Sequence, residues 1–183
     1  MSSEPREGEP IAVRLLAEQD SLSDLTALLH RAYAALLAMG FRYVATWQDD
    51  AITARRAGKG ECYVGWLRGA MVATLTLVPP GRTGGCPYYE RAQLATVHQF
   101  AVEPALQGRG IGSRLLAFAE DRARRLGARE IALDTAEGAA HLLRLYESRG
   151  YRAVERVDWP STNYVSVILA KDLREAGAGD AAV

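Results

Sequence analysis

QGRGIGSRLL, residues Gln107 to Leu116, places glycine at every second position and then turns amphipathic. The run Leu94 to Val102 before it reads as a long strand that ends at Glu103-Pro104. The residues after it read as a helix from about Gly112 to Leu126, with Gly127 as its stop. A strand, a glycine-rich turn and a helix start form a ready anion site. Glycine leaves no Cβ in the way, and the first N–H groups of the helix and its dipole favour a phosphate group. Arg109 and Arg114 add charged donors. Two familiar phosphate loops do not fit. A P-loop needs Lys-Ser/Thr after its last glycine, where Ser113-Arg114 stands, and a dinucleotide fingerprint needs a third glycine where Ser113 stands. A glycine-rich turn that binds nothing remains an alternative.

Composition narrows the setting. The 183 residues suit one domain, with 49% apolar and 24% charged residues. Twenty-two basic and 22 acidic residues cancel, and the isoelectric point is about 6.8. Binding to nucleic acid or an anionic membrane through bulk charge is therefore not expected. No apolar run reaches the roughly 18 residues of a membrane span. The opening MSSEPREGEP is polar and unlike a secretion signal. Cys62 and Cys86 make neither a disulfide framework nor a metal knuckle, so no metal is expected, and a cytoplasmic protein with reduced thiols is the simplest reading.

The rest of the chain supplies the fold class. Residues 1–10 and 173–183 read as loose tails around a single domain at 11–172. A short strand at 11–16 precedes a helix with apolar residues from Leu22 to Leu37, and a weaker helix follows at 47–57. Strands at 62–67 and 70–78 flank Arg68-Gly69 as a hairpin. After the glycine run come a strand at 130–134, a helix at 139–149, and strands at 151–157 and 164–170. This order predicts an α+β fold: a mixed sheet of six or seven strands, mostly antiparallel, parallel around the two βα connections, with about four helices packed on it.

Gln107-Gly108-Arg109-Gly110-Ile111-Gly112 matches the Q-x-x-G-x-G signature of the GNAT superfamily of N-acetyltransferases. Leu145-Tyr146-Glu147-Ser148-Arg149-Gly150-Tyr151 resembles that family's LYE-x-x-G-F/Y segment, and Phe100-Ala101-Val102-Glu103-Pro104 resembles the end of its fourth strand. The resemblance is strong over 94–157 and weaker over 11–93, where it rests on element order. It implies a sheet whose fourth and fifth strands, 94–102 and 130–134, splay apart to admit acetyl-CoA as acyl donor. The glycine run, Gln107 to Ser113, would take the pyrophosphate, and the main chain of Phe100, Ala101 and Val102 the pantetheine arm. Many members carry asparagine where this chain has Ala139. Alanine cannot make that asparagine's bond, and Glu137 is a candidate replacement.

The implied reaction is attack of an amine on a thioester. An alkylamine of pKa about 10.4 is only about 0.04% free base at pH 7, so a base helps, and an acid that protonates the leaving thiolate helps less. Tyr146 fits the acid by its place in the family segment. The alternative is a tyrosine that only packs. His98 is the candidate base, because even spacing along the strand puts it on one face with Phe100 and Val102. It predicts an acidic limb in the rate profile at about pH 6–7.5. The alternatives are a core histidine, with Asp134 as the fallback base. His30 and His141 read as solvent or seam residues. Asp49-Asp50, Tyr88-Tyr89-Glu90 and Asp158-Trp159 fall where the family lines its acceptor groove, and acids with aromatics suit a cationic amine. A small-molecule amine is the expected acceptor. The alternatives are a protein N-terminus or lysine, or a non-catalytic acyl-CoA-binding module, and a homodimer is left open.

Overall fold

The computed structural model describes residues 11–174. The tails expected at 1–10 and from residue 175 onward lie outside the described residues. Leu173 belongs to the core: it is 4% exposed, and its N–H donates to the Arg129 carbonyl at 2.9 Å.

Among the described residues, seven strands and four α-helices follow in the order β1 (Ala12–Leu15), α1 (Leu22–Ala38), α2 (Asp50–Ala57), β2 (Glu61–Leu67), β3 (Ala70–Val78), β4 (Leu94–Val102), α3 (Ile111–Arg125), β5 (Glu130–Ala136), α4 (Ala140–Glu147), β6 (Arg152–Asp158) and β7 (Val165–Asp172). They form one sheet of order β1-β2-β3-β4-β5-β7-β6. Arg68 and Gly69 both take positive φ, 51° and 79°, the two-residue turn whose twist matches a tight hairpin. α2 starts three residues later than the apolar pattern predicts. The Asp49 carboxylate accepts the Ile52 N–H at 2.7 Å and fixes the first turn there.

Among the described residues only β4 and β5 pair in parallel. The second βα connection, expected to add another parallel pair, does not. β7 inserts between β5 and β6 and pairs antiparallel with both. Helices cover both faces. α3 and α4 pack Leu115, Leu116, Ala119 and Tyr146 against one side, with Leu75, Val97, Ile131 and Leu133. α1 and α2 pack Leu25, Leu28, Leu29 and Ala57 against the other, with Val64, Met71 and Ala101.

The entry to β2 is tight. A Cβ on Gly60 would stand 2.1 Å from the Leu77 carbonyl oxygen, and Leu77 is paired with Glu61 in the sheet. That carbonyl cannot retreat without opening the β2–β3 ladder. Gly60→Ala is therefore expected to destabilise the fold by about 1–3 kcal/mol, the range of overpacked cores. Urea unfolding checks this, and an unchanged midpoint would show that the turn relaxes.

Candidate active site

The parallel pair is short. β4 and β5 are joined only from Leu94↔Glu130 to Thr96↔Ala132, and beyond that the two strands separate. β4 also bends where it parts from its neighbour. The β3–β4 register shifts between Thr74↔Ala101 and Thr76↔His98, and Gln99 takes φ 50°. Two residues on β4 face one on β3, which is a β-bulge.

The bulge reverses the alternation that the sequence implies. Before it, Ala95 and Val97 face the α3 core. After it, Phe100 and Val102 face that core instead, where they touch the Gly112 position. His98 therefore lies on the opposite face from Phe100 and Val102, contrary to the even-spacing expectation. It shares that face with Thr96, whose Oγ1 meets His98 Nε2 at 2.9 Å, and its ring meets Tyr89 edge-on at 6.0 Å. A polar cluster holds the bulge. Gln99 Nε2 donates to Thr76 Oγ1 at 3.3 Å, and Gln99 Oε1 accepts from Gln48 Nε2 at 2.9 Å.

A cavity of about 440 Å³ opens at the separation. His98, Asp134 and Tyr146 all line it, from β4, β5 and α4. Asp134 is held by three donors: Tyr89 Oη at 3.3 Å, Trp159 Nε1 at 3.2 Å and Ser166 Oγ at 2.9 Å. The His98 ring is part-buried at the cavity wall, packed against Tyr89. Burial pushes its imidazole down to about 4, more strongly than Asp134 pulls it up, with Arg56 and Lys59 lowering it further. Burial also pushes the Tyr146 hydroxyl well above its ordinary value. Tyr146 is 8% exposed, and its ring packs at 6.0 Å from Tyr151.

The remaining lining departs from the expected acidic groove. Tyr89 and Trp159 do reach the cavity. Asp49, Asp50, Glu90 and Asp158 do not line it. Asp49 caps α2, and Asp50 accepts a hydrogen bond from Ser23. Arg55, Arg56 and Lys59 line it instead, together with Tyr33, Tyr43 and Tyr164. The basic stretch A-R-R-A-G-K is plain in the sequence, but a short helix of weak periodicity does not say which way it faces. His30 serves the frame, with Nε2 at 2.8 Å from the Gln48 carbonyl, and His141 is exposed. Cys62 and Cys86 are buried and free.

The glycine run lies at the α3 end of the same region. Gly108 and Gly110 both take φ 76°, and a Cβ on either would meet no atom within 4 Å, so the space over them is open. Gly110 caps α3 with no side chain bonded to the first N–H groups. Gly112 differs. A Cβ there would meet Phe100 at 3.4 Å and Val102 at 3.5 Å, ordinary van der Waals contact, so the Gly112 position packs on β4 and has no open space over it. Gln107 Nε2 donates to the Val102 carbonyl at 3.1 Å and ties the run to the strand end, while Arg109 and Ile111 follow on the loop and the first helical turn. Ser113 Oγ accepts from Arg149. On β4, Ala101 pairs with Thr74, and the Phe100 carbonyl accepts the Tyr33 hydroxyl at 3.1 Å. Ala139 is buried in an apolar cluster with Leu36, Tyr43 and Ala136. Glu137, the proposed substitute there, is paired with Arg156 at 2.7 Å.

Among the described residues no group of three or more His, Cys, Asp or Glu could hold a metal ion, and no helix is long and apolar enough to cross a membrane.

Comparison with known proteins gives a consistent family. The acetyltransferase (GNAT) family model matches residues 23–151. S-(2-succino)cysteine N-acetyltransferase of Bacillus subtilis (strain 168) is 31% identical over 164 residues, spanning 88% of this chain and 95% of that protein. A crystal structure of a Pyrococcus horikoshii OT3 protein matches the fold with a TM-score of 0.70 at 20% identity, covering 89% of this chain and 98% of that one. A GNAT family acetyltransferase from Elizabethkingia anophelis, solved with acetyl-CoA bound, matches with a TM-score of 0.63 at 15% identity over 88% and 97% of the two chains.

Proposed function

The chain belongs to the GNAT acetyltransferase family, and from that premise we propose a small-molecule primary amine as its acceptor. It is an acetyl-CoA-dependent acetyltransferase, and the transfer needs no metal. The observation that carries the acceptor reading is the cavity at the β4–β5 separation. Its 440 Å³ lies within the range of small-molecule sites, and it is walled by side chains from both sheet faces. The relative named for N-acetylating S-(2-succino)cysteine supports the same class.

The donor supplies a thioester whose acyl carbon takes the amine nitrogen as the C–S bond breaks. The backbone of Phe100, Ala101 and Val102 guides the donor's arm, and the run Gln107, Gly108, Arg109, Gly110, Ile111, Gly112 and Ser113 receives its pyrophosphate. Open space over two glycines and uncapped N–H groups suit that anion. His98 takes one proton from the ammonium. With Nε2–H donating to Thr96 Oγ1, Nδ1 keeps the lone pair for it. Tyr146 donates a hydrogen bond to the departing sulfur. The balance is an amide, a thiol and one proton released to water.

Free-thiol release from acetyl-CoA, followed with amino acids, arylalkylamines, polyamines and short peptides, tests the acceptor. Turnover of the small amines is expected. Turnover confined to peptide N-termini or lysines would overturn the reading. The anion site has its own test. Gly110→Asp is expected to weaken CoA by at least about tenfold, roughly 1.4 kcal/mol, through a charge set against the pyrophosphate. Gly110→Asn controls for shape, because asparagine tolerates the same positive φ as aspartate. Calorimetry giving equal CoA affinity for both variants would remove the pyrophosphate from this turn.

A further inference from the structure

The lining of the acceptor cavity carries more positive than negative charge. Among the described residues of the lining, Arg55, Arg56 and Lys59 stand against Asp134 alone, so three cations less one carboxylate leave +2. Among the described residues none of the three cations lies in an ion pair, although Arg14, Arg31, Arg91, Arg122 and Arg156 all do.

Arg56 is the informative member. Its guanidinium is partly buried and donates to Gln48 Oε1, a neutral acceptor. That carbonyl is fixed in place, because the Gln48 amide group already donates to Thr53 Oγ1 at 2.7 Å and to Gln99 Oε1 at 2.9 Å. Thr53 is bonded in turn to Thr26 at 2.8 Å, and Gln99 to Thr76. The cluster thus mounts Arg56 rigidly from behind. A guanidinium has five N–H donors, and a planar fork of this kind matches a carboxylate. A desolvated cation without a counter-ion is costly to keep, and an anionic ligand removes that cost. Arg55 and Lys59 are exposed toward the same space and extend the positive field outward.

We infer that the acceptor is an amino acid of net negative charge, with one carboxylate on Arg56, a second between Arg55 and Lys59, and its amine directed to Asp134 and His98. The inference rests on the small-amine reading above and names its substrate class. The ammonium meets the one carboxylate of the lining, and each substrate carboxylate meets a cation. A polyamine would face repulsion from three positive groups, and an arylalkylamine would bury Arg56 without a partner. The transfer itself is unchanged. The nitrogen gains the acetyl group, CoA leaves as the thiol, one proton is released, and the carboxylates stay intact.

Matched pairs of acceptors test it on the full-length protein: glutamate against glutamine, S-carboxymethylcysteine against S-methylcysteine, with 2-phenylethylamine and putrescine as the neutral-tailed and cationic extremes. The acidic member of each pair is expected to have the higher kcat/KM by at least about tenfold, with an advantage that shrinks as salt is added. Arg55→Gln and Lys59→Gln, both at exposed positions, are expected to raise KM for the acidic members severalfold while kcat and the neutral members hardly move. Arg56→Gln is expected to remove most of the preference. If that variant does not fold, the two exposed positions decide. Equal or better use of the neutral or cationic amines overturns this inference alone, as does a uniform loss across all acceptors in the exposed variants. A protein that binds acetyl-CoA yet acetylates none of these amines overturns the small-amine reading and this one with it.

Discussion

Tyr146→Phe is expected to lower kcat by about 10–10³-fold while leaving acetyl-CoA affinity nearly unchanged. The phenyl ring keeps the contact with Tyr151 and the place in the α3–α4 core, so what the variant loses is the hydroxyl at the cavity wall. Burial holds that hydroxyl in its protonated form, well above the ordinary phenol range. A thiol has a pKa of about 8.5, so complete proton transfer from so weak an acid is uphill. A hydrogen bond that strengthens as charge builds on sulfur is the cheaper service, and this favours the lower half of the range. Single-turnover acetyl transfer at saturating donor and acceptor measures it. Wild-type turnover in a variant that melts like the parent would leave Tyr146 as a packing residue.

Much of this is legible in the sequence. The element order, the hairpin at Arg68-Gly69 and the glycine run as the start of α3 follow from periodicity and turn chemistry, because those signals are local. The separation of β4 from β5 came only through the family resemblance, since nothing in either strand's own sequence forbids longer pairing. Two errors share one cause. The bulge at Gln99 is stabilised by Gln48, fifty-one residues away, so counting every second residue along β4 put His98 on the wrong face. The placement of Arg56 in the cationic lining depends on the same glutamine, because Gln48 Oε1 accepts from its guanidinium. The available hint is Gln99, which with His98 interrupts a strand otherwise made of apolar and small residues, since an amide placed in a sheet interior needs partners from outside its own strand. Two of the acids expected in the groove are engaged elsewhere, Asp49 in capping α2 and Asp50 with Ser23, which composition cannot reveal.

The position of His98 changes what its removal should do. His98→Gln is expected to lower kcat/KM by about 10²–10⁴-fold with CoA binding retained, because the amide fills the same space but cannot take a proton at neutral pH. The acidic limb belongs elsewhere than pH 6–7.5. With the imidazole pushed down to about 4, His98 is unprotonated throughout the neutral range, and its limb falls near pH 4. Any limb seen between pH 6 and 9 then belongs to the amine and shifts with the acceptor's own pKa, which two acceptors of different basicity reveal. The same depression fixes the sign of a stability effect. Below about pH 6.5 the unfolded chain's imidazole binds a proton that the folded one refuses until about 4. The stability that His98 contributes is therefore complete above pH 6.5 and is lost as pH falls toward 4, by at most about 3 kcal/mol. His98→Gln should flatten both curves: its urea midpoint should lose less than the parent's between pH 6.5 and 4, and its residual rate should lack the limb. A variant that flattens the stability curve but keeps the parental rate would leave the histidine as a buried neutral residue. Proton removal would then pass to Asp134, which shares the cavity and already gathers three hydrogen-bond donors.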